Sequence, residues 1–101
     1  LTPLLPSTAF PTLPTKDRHY TRAQIKQLVD TAEQYHVQII PEIDVPGHAA
    51  ALIRSIPSLA CTTATNNRSA SKLCISNPQT YQALEKLFTE VMDMIPGDYW
   101  H

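Results

Sequence analysis

The chain has 101 residues, of which nine are acidic and eight are basic, giving a formal net charge of −1. This balance disfavours nucleic-acid and polybasic membrane-binding proteins, which carry a clear excess of Lys and Arg. Apolar residues make up 43% of the sequence, enough for a hydrophobic core. Only two glycines are present, which excludes a glycine-rich phosphate loop, and no apolar run is long enough for a transmembrane helix.

Residues 1–19 are predicted to be irregular because they are rich in proline. Each proline removes a backbone donor and biases the residue before it away from helix. This segment is predicted to be either a linker or a long loop that lies over a larger body. The prolines are Pro3, Pro6, Pro11 and Pro14.

A helix is predicted to start at Thr21, where Thr21 and Gln24 form a capping box. An apolar stripe then recurs with helical spacing, at Ile25, Leu28, Val29 and Ala32. We expect this helix to end near Tyr35 or His36.

The next stretch, 37–44, is rich in β-branched residues and is predicted to be a buried strand. Pro41 cannot donate to a ladder, so it is placed near the C-terminal end of the strand, where one lost bond is tolerable. A short helix is expected around residues 49–54, ended by Pro57.

Residues 58–76 are polar and aperiodic and are predicted to be a surface loop. A second long helix then begins with Asn77 as its N-cap and Pro78 at its first position, and Pro96 and Gly97 stop it. Tyr99 is predicted to start another strand. The apolar face of this helix is expected to consist of Tyr81, Leu84, Leu87, Phe88, Val91, Met92 and Ile95.

The order helix, strand, loop, helix, strand start predicts an α/β fold with parallel strands and crossover helices. A parallel strand needs neighbours on both sides, and only one complete strand is present. We therefore expect the chain, which opens on Leu1 rather than methionine, to be a fragment of a larger α/β protein.

Candidate chemistry lies at the end of the predicted strand. Glu42 and Asp44 are two residues apart and so share one face, at the strand end where α/β proteins place their active sites. They could do acid–base or electrostatic work, or simply cap the next turn or pair with basic residues. His48 follows the turn, which is expected to direct it back across the strand end, where an imidazole near a carboxylate can relay protons. The alternative is a structural or exposed histidine.

Two cysteines, Cys61 and Cys74, flank the polar loop. A disulfide between them is favoured over two buried free thiols because the segment is polar, and it would contribute roughly 3 kcal/mol by the chain-entropy model. Asn67 begins an Asn-Arg-Ser triplet, the acceptor pattern for N-glycosylation in a eukaryotic protein. No metal site is expected, because the other histidines (His19, His36 and His101) share no spacing with His48. Trp100 and Tyr99 could line a pocket or belong to the core.

Residues 41–49, with the sequence PEIDVPGHA, resemble the catalytic domain of the β-N-acetylhexosaminidases of glycoside hydrolase family 20. Similar flanks open the two long helices, at 20–22 and 77–81, and close the chain at 96–101. The resemblance covers roughly residues 20–101 and identifies them as a partial catalytic domain. It implies a (β/α)8 TIM barrel, of which this chain supplies the second helix, the third strand, a loop, the third helix and the start of the fourth strand.

The resemblance also implies a substrate-assisted retaining mechanism, in which the 2-acetamido oxygen of the sugar attacks the anomeric carbon. In the family, an aspartate orients that acetamido group and the adjacent glutamate acts as the acid. This Asp-Glu pair normally follows a histidine and Ile/Leu-Gly-Gly, so it would lie beyond His101. His48 matches the histidine that relays protons to the acid, whereas Asp44 and Glu42 are expected to organise the site around it.

The first hypothesis is thus part of a secreted, periplasmic or lysosomal enzyme that removes terminal GlcNAc or GalNAc from glycans or chitin oligomers. It needs no cofactor, and the isolated chain is expected to be inactive. One alternative is a non-catalytic sugar-binding or structural relative with the same barrel. Another is a different sugar-active barrel that uses Glu42 and Asp44 directly as its carboxylates.

Overall fold

The computed structural model describes residues 4–101, so Pro3 lies outside the described residues. Within this range, three helices and one two-stranded antiparallel sheet make up the regular structure. No helix within this range has the length and apolar content needed to cross a bilayer. In chain order the elements are α1 (Arg22–Gln34), α2 (Ala50–Ser55), a 3₁₀ turn (Pro57–Leu59), β1 (Ala60–Thr62), β2 (Arg68–Leu73) and α3 (Pro78–Met94).

The capping box at the start of α1 is confirmed. The Thr21 hydroxyl accepts from the Gln24 N–H at 3.1 Å, and the Gln24 side chain accepts from the Thr21 N–H at 2.8 Å. The helix ends at Gln34 with Tyr35 as its C-cap, as predicted. Its apolar stripe is only partly covered within residues 4–101, because Ile25 is buried while Leu28 is 46% exposed.

Helix α3 begins as predicted, with the Asn77 side chain accepting from the Gln79 N–H at 3.0 Å. The predicted apolar face is wrong at two positions, since Tyr81 is 59% and Met92 is 51% exposed. The buried stripe runs instead through Thr80, Ala83, Leu87 and Val91. Burial of Thr80 is possible because its hydroxyl donates to the Cys74 carbonyl at 2.8 Å, and this rotation of the helix turns Tyr81 outward.

The predicted surface loop over 58–76 is wrong, because most of it forms the β1–β2 hairpin. Ala60 pairs with Leu73, both residues are buried, and the turn places Asn66 in the left-handed region at φ 60°. The inner face of β2 carries Ser69 and Ser71 before Leu73. Small polar residues on the inner face hid the period-two alternation that normally reveals a strand.

The predicted strand over 37–44 is extended but joins no ladder within the described residues. Its one pairing is to the chain end: the His101 N–H donates to the Pro41 carbonyl at 3.0 Å, and the Ile43 N–H donates to the His101 carbonyl at 2.8 Å. This is the parallel pattern. A buried parallel strand needs partners on both sides, and among residues 4–101 its only partner is the single residue His101. Val37 and Ile40 consequently remain 58% and 53% exposed.

The proline-rich segment packs onto the rest of the molecule, which agrees with the loop alternative. Phe10 and Leu13 are buried in the main core, together with α2, Leu59, Leu73 and the inner face of α3. The Thr8 and Ala9 N–H groups donate to Glu90 of α3 at 2.8 and 2.9 Å. The core therefore lies between this segment, α2, the hairpin and α3.

Candidate active site

Glu42 and Asp44 lie on one face of the extended segment. Both are exposed, while Ile43 and Val45 between and beside them pack against the core. The alternation follows from the period of two in extended backbone. The two carboxylates therefore point away from the core of this chain, onto the same surface.

The turn after this segment brings His48 back to Asp44. His48 Nδ1 lies 2.5 Å from Asp44 Oδ2. An ionised carboxylate can only accept, so Nδ1 carries the proton and donates it. The His48 side chain is 73% exposed, and Nε2 forms no hydrogen bond to residues 4–101. Asp44 thus fixes the orientation of the ring and leaves Nε2 available to exchange a proton with another group.

Strand β2 holds both ends of this turn. The Leu73 N–H donates to the Pro46 carbonyl at 2.9 Å, and the Ala49 N–H donates to the Ser71 carbonyl at 2.9 Å. Between these two bonds His48 adopts a left-handed backbone conformation at φ 52°. This support could not be predicted once 58–76 was assigned to a loop, although Leu73, an apolar residue in a polar stretch, was a visible signal.

A second acid–histidine pair lies beside the first. His101 Nδ1 is 3.6 Å from Glu42 Oε2, and both side chains are more than half exposed. The parallel pairing of His101 with the segment around Glu42 places them together. His101 was not predicted to be a site residue, because its spacing from the other histidines carries no information about strand pairing.

The remaining histidines lie elsewhere. His19 bonds the Thr15 carbonyl through Nδ1 at 2.6 Å, and His36 follows α1 with φ 55°. Within residues 4–101 no group of three or more His, Cys, Asp or Glu side chains is arranged to hold a metal ion. The described chemistry is therefore that of two carboxylate–imidazole pairs on one surface.

Cys61 and Cys74 are free thiols that lie side by side at the base of the hairpin. Cys61 Sγ donates to the Leu73 carbonyl at 3.3 Å. The pKa of Cys61 is raised, mainly by desolvation and to a smaller extent by the hydrogen bond with Cys74. Hydrogen bonds from Ser76, and then from Cys61, lower the pKa of Cys74.

The remaining candidate residues from the sequence are Asn67, Trp100 and Tyr99. Asn67 is exposed at the hairpin turn. Trp100 packs edge-on against Phe88 with ring centroids 6.4 Å apart, and it is half-buried against the core, while Tyr99 is 63% exposed. A groove of about 390 Å³ runs along the extended segment, but its lining is mostly aliphatic. Its few polar lining residues include Glu42, Asp44 and His48, so the groove reaches the carboxylates and the imidazole of the candidate site.

Comparison with known proteins agrees with the resemblance. The family model for the glycosyl hydrolase family 20 catalytic domain matches residues 6–101, which includes most of the proline-rich segment. The beta-hexosaminidase subunit A1 of Dictyostelium discoideum is 36% identical over 84 residues, covering 81% of this chain and 16% of that protein. The chain thus spans about a sixth of that relative's length.

Solved structures show the same relationship in three dimensions. A chitobiase of Flavobacterium johnsoniae superposes with a TM-score of 0.83 at 32% identity, covering 96% of this chain and 16% of that one. A mutant beta-hexosaminidase of Streptomyces plicatus in complex with the product GlcNAc gives 0.80 at 29% identity, covering 96% and 23%. These enzymes have a TIM-barrel catalytic domain, which confirms the α/β barrel-fragment prediction. The chain belongs to glycosyl hydrolase family 20, as part of the catalytic domain.

Proposed function

We propose that the protein to which this chain belongs is a β-N-acetylhexosaminidase that hydrolyses terminal, non-reducing N-acetylhexosamine residues of glycans or chitin oligomers. The observation that carries the proposal is the Asp44–His48 pair, at 2.5 Å, within the PEIDVPGHA motif of a family 20 chain. The GlcNAc product bound by the Streptomyces plicatus relative supports the substrate class.

In this proposal the chain positions the acid and does not supply it. Family 20 enzymes use the substrate's acetamido group in place of a second carboxylate. With Nδ1 donating to Asp44, the Nε2 atom of His48 is available to the general-acid glutamate, which is expected after His101 from the family pattern. Glu42 and Asp44 each face an imidazole, which favours an organising role over direct attack or protonation.

The test is the full-length protein with a chromogenic N-acetyl-β-glucosaminide. We expect His48→Ala to lower kcat by about 10²- to 10⁴-fold, the usual contribution of general acid–base catalysis, and to shift the limb of the pH–rate profile that reports the acid. His19→Ala is the matched control, because His19 bonds only the Thr15 carbonyl among residues 4–101, and it should leave turnover nearly unchanged.

Near-normal turnover of His48→Ala with an unchanged profile would show that His48 is structural. GlcNAc binding by the wild-type protein without any hydrolysis would support the non-catalytic relative instead. Hydrolysis by a protein truncated after His101 would move the chemistry to Glu42 and Asp44.

We also propose that the protein works in an oxidising compartment: outside the cell, in a periplasm or in a lysosome. The proposal depends on a Cys61–Cys74 disulfide, because such bonds persist in those environments. In a eukaryotic source, Asn67 would be a glycosylation site, since it begins an Asn-Arg-Ser triplet and lies exposed at the hairpin turn.

A further inference from the structure

We propose that a Cys61–Cys74 disulfide locks the β1–β2 hairpin in the conformation that holds the His48 turn, so that the redox state of this pair controls how His48 is positioned. The catalytic part of this inference rests on the proposed function. The structural part depends only on the hairpin and the turn.

The His48 turn needs external support. A left-handed backbone is unfavourable for a residue with a Cβ atom, and such a conformation persists only where the surroundings impose it. His48 adopts it at φ 52°, and its side chain is too exposed to be held by packing. The support comes from β2, whose Leu73 N–H and Ser71 carbonyl bond the two ends of the turn.

The hairpin that provides this support is itself weakly built. Strand β1 has only three residues, and its pairing with β2 is irregular between Ala60 and Thr62. A single two-stranded hairpin is marginal without further packing. Among residues 4–101, Leu59, Ala60 and Leu73 are the residues at its base that are buried in the core, and β2 also packs against α2.

The two cysteines lie next to the paired residues Ala60 and Leu73, where a covalent bond would stabilise the hairpin. Cys74 directly follows Leu73, and its N–H donates to the Leu59 carbonyl at 2.8 Å. Cys61 directly follows Ala60, the partner of Leu73, and reaches the Leu73 carbonyl with its thiol. A disulfide would therefore fix β2 beside the residue that bonds Pro46.

The bond would form by thiol–disulfide exchange with a small-molecule disulfide such as oxidised glutathione. The Cys74 thiolate, whose pKa is lowered, attacks one sulfur of that disulfide, forms a mixed disulfide and releases the first thiolate. Cys61 Sγ then attacks Cys74 Sγ and releases the second. Two protein thiols are oxidised, one external disulfide is reduced to two thiols, and the two protons pass to the released thiolates.

The experiment uses the full-length protein, purified without reductant. Mass spectrometry of non-reduced peptides should show Cys61 linked to Cys74. Hydrogen exchange of the Ala49 and Leu73 amides should then accelerate by about tenfold or more on reduction, while the middle of α3 stays protected. Because a small displacement of a catalytic group can cost up to about 10²-fold in rate, kcat should fall by about tenfold to 10²-fold, with KM nearly unchanged and the acid limb of the pH profile shifted.

Variants separate this bond from any other disulfide of the protein. The same fall in kcat and the same faster amide exchange are expected in Cys61→Ser, Cys74→Ser and the double variant, because either substitution removes the whole bond. None of the three should respond further to reductant in kcat. Arg68→Ala, an exposed change in the same strand, should keep both the linkage and the response.

The proposal would be overturned by free thiols at both positions in the unreduced protein, or by a disulfide whose reduction changes neither amide exchange nor kcat. A fall in kcat in the double variant equal to the sum of the two single-variant effects, in free-energy terms, would also contradict it. If all forms lack hydrolysis but the amides still respond to reduction, the proposed function fails and the structural lock remains.

Discussion

At the scale of single residues, Glu90 connects three parts of the molecule. It accepts from the Ser7 hydroxyl at 2.5 Å and from the backbone of the next two residues, and Arg22 of α1 lies 3.6 Å away. Partial desolvation raises the pKa of Glu90, but the hydrogen bonds from Ser7 and the backbone, with the charge of Arg22, outweigh it and lower the pKa below its ordinary value. The proline-rich segment is therefore held to α3 by an ionised carboxylate.

This arrangement predicts a pH-dependent contribution to stability. A depressed folded-state pKa stabilises the fold above the unfolded pKa, and this stabilisation is lost as the pH falls through the folded value. In the full-length protein, Glu90→Gln should lower the free energy of unfolding by about 1–2 kcal/mol at pH 7, since hydrogen bonds to a charged group are lost. The difference from wild type should shrink on acidification.

Denaturant unfolding at pH 7 and at pH 4 would measure this difference. Glu85→Gln is the control, because Glu85 lies on the exposed side of the same helix and its substitution should change stability very little. An effect of Glu90→Gln that is equal at both pH values would show that the charge of Glu90 does not stabilise the segment.

At the scale of elements, the helix starts were readable from a few adjacent residues. The Thr21 and Asn77 caps both appear as predicted, since each depends on a side chain and an N–H two or three positions away. The strands were not readable in this way. The 37–44 segment lacks most of its partners, and the β2 alternation is carried by serines on its inner face.

The cap of α3 gives a test at this scale. In the full-length protein, Asn77→Ala should lower the free energy of unfolding by about 1 kcal/mol, because the Gln79 N–H loses its acceptor. Asn77→Asp keeps that acceptor and loses only the donation from Asn77 to the Ser58 carbonyl at 3.2 Å, so it should recover most of the loss. Equal destabilisation by both variants would assign the effect to the Ser58 contact. Thermal or chemical unfolding provides the measurement.

At the scale of the whole molecule, the 101-residue chain is extended for its length. Its radius of gyration is 15.0 Å, compared with about 13 Å for a compact domain of this size. The exposed Val37 and Ile40 lie on a segment with unpaired backbone groups, a feature that promotes aggregation. In a complete barrel, adjacent strands would cover these two side chains.

We therefore expect the isolated chain to be loosely packed and inactive. Calorimetry should show no sharp cooperative melt, because burial at about 25 cal/mol per Å² must exceed roughly 1.5 kcal/mol per residue of ordering entropy, and Val37 and Ile40 contribute little of that burial while exposed. It should release no product from a chromogenic N-acetylglucosaminide, since the family's Asp-Glu pair is not among these residues. A sharp melt would contradict the fragment interpretation of the fold.

The sequence by itself determined the helices and the family, because caps and the PEIDVPGHA motif are made of neighbouring residues. It also placed Asp44 and His48 four positions apart, near enough for the turn to join them. Only the tertiary structure decided that β2 supports the turn, that His101 faces Glu42 and that Glu90 holds the proline-rich segment. These contacts join residues 22 to 82 positions apart, and their formation depends on packing and strand pairing that no local pattern encodes.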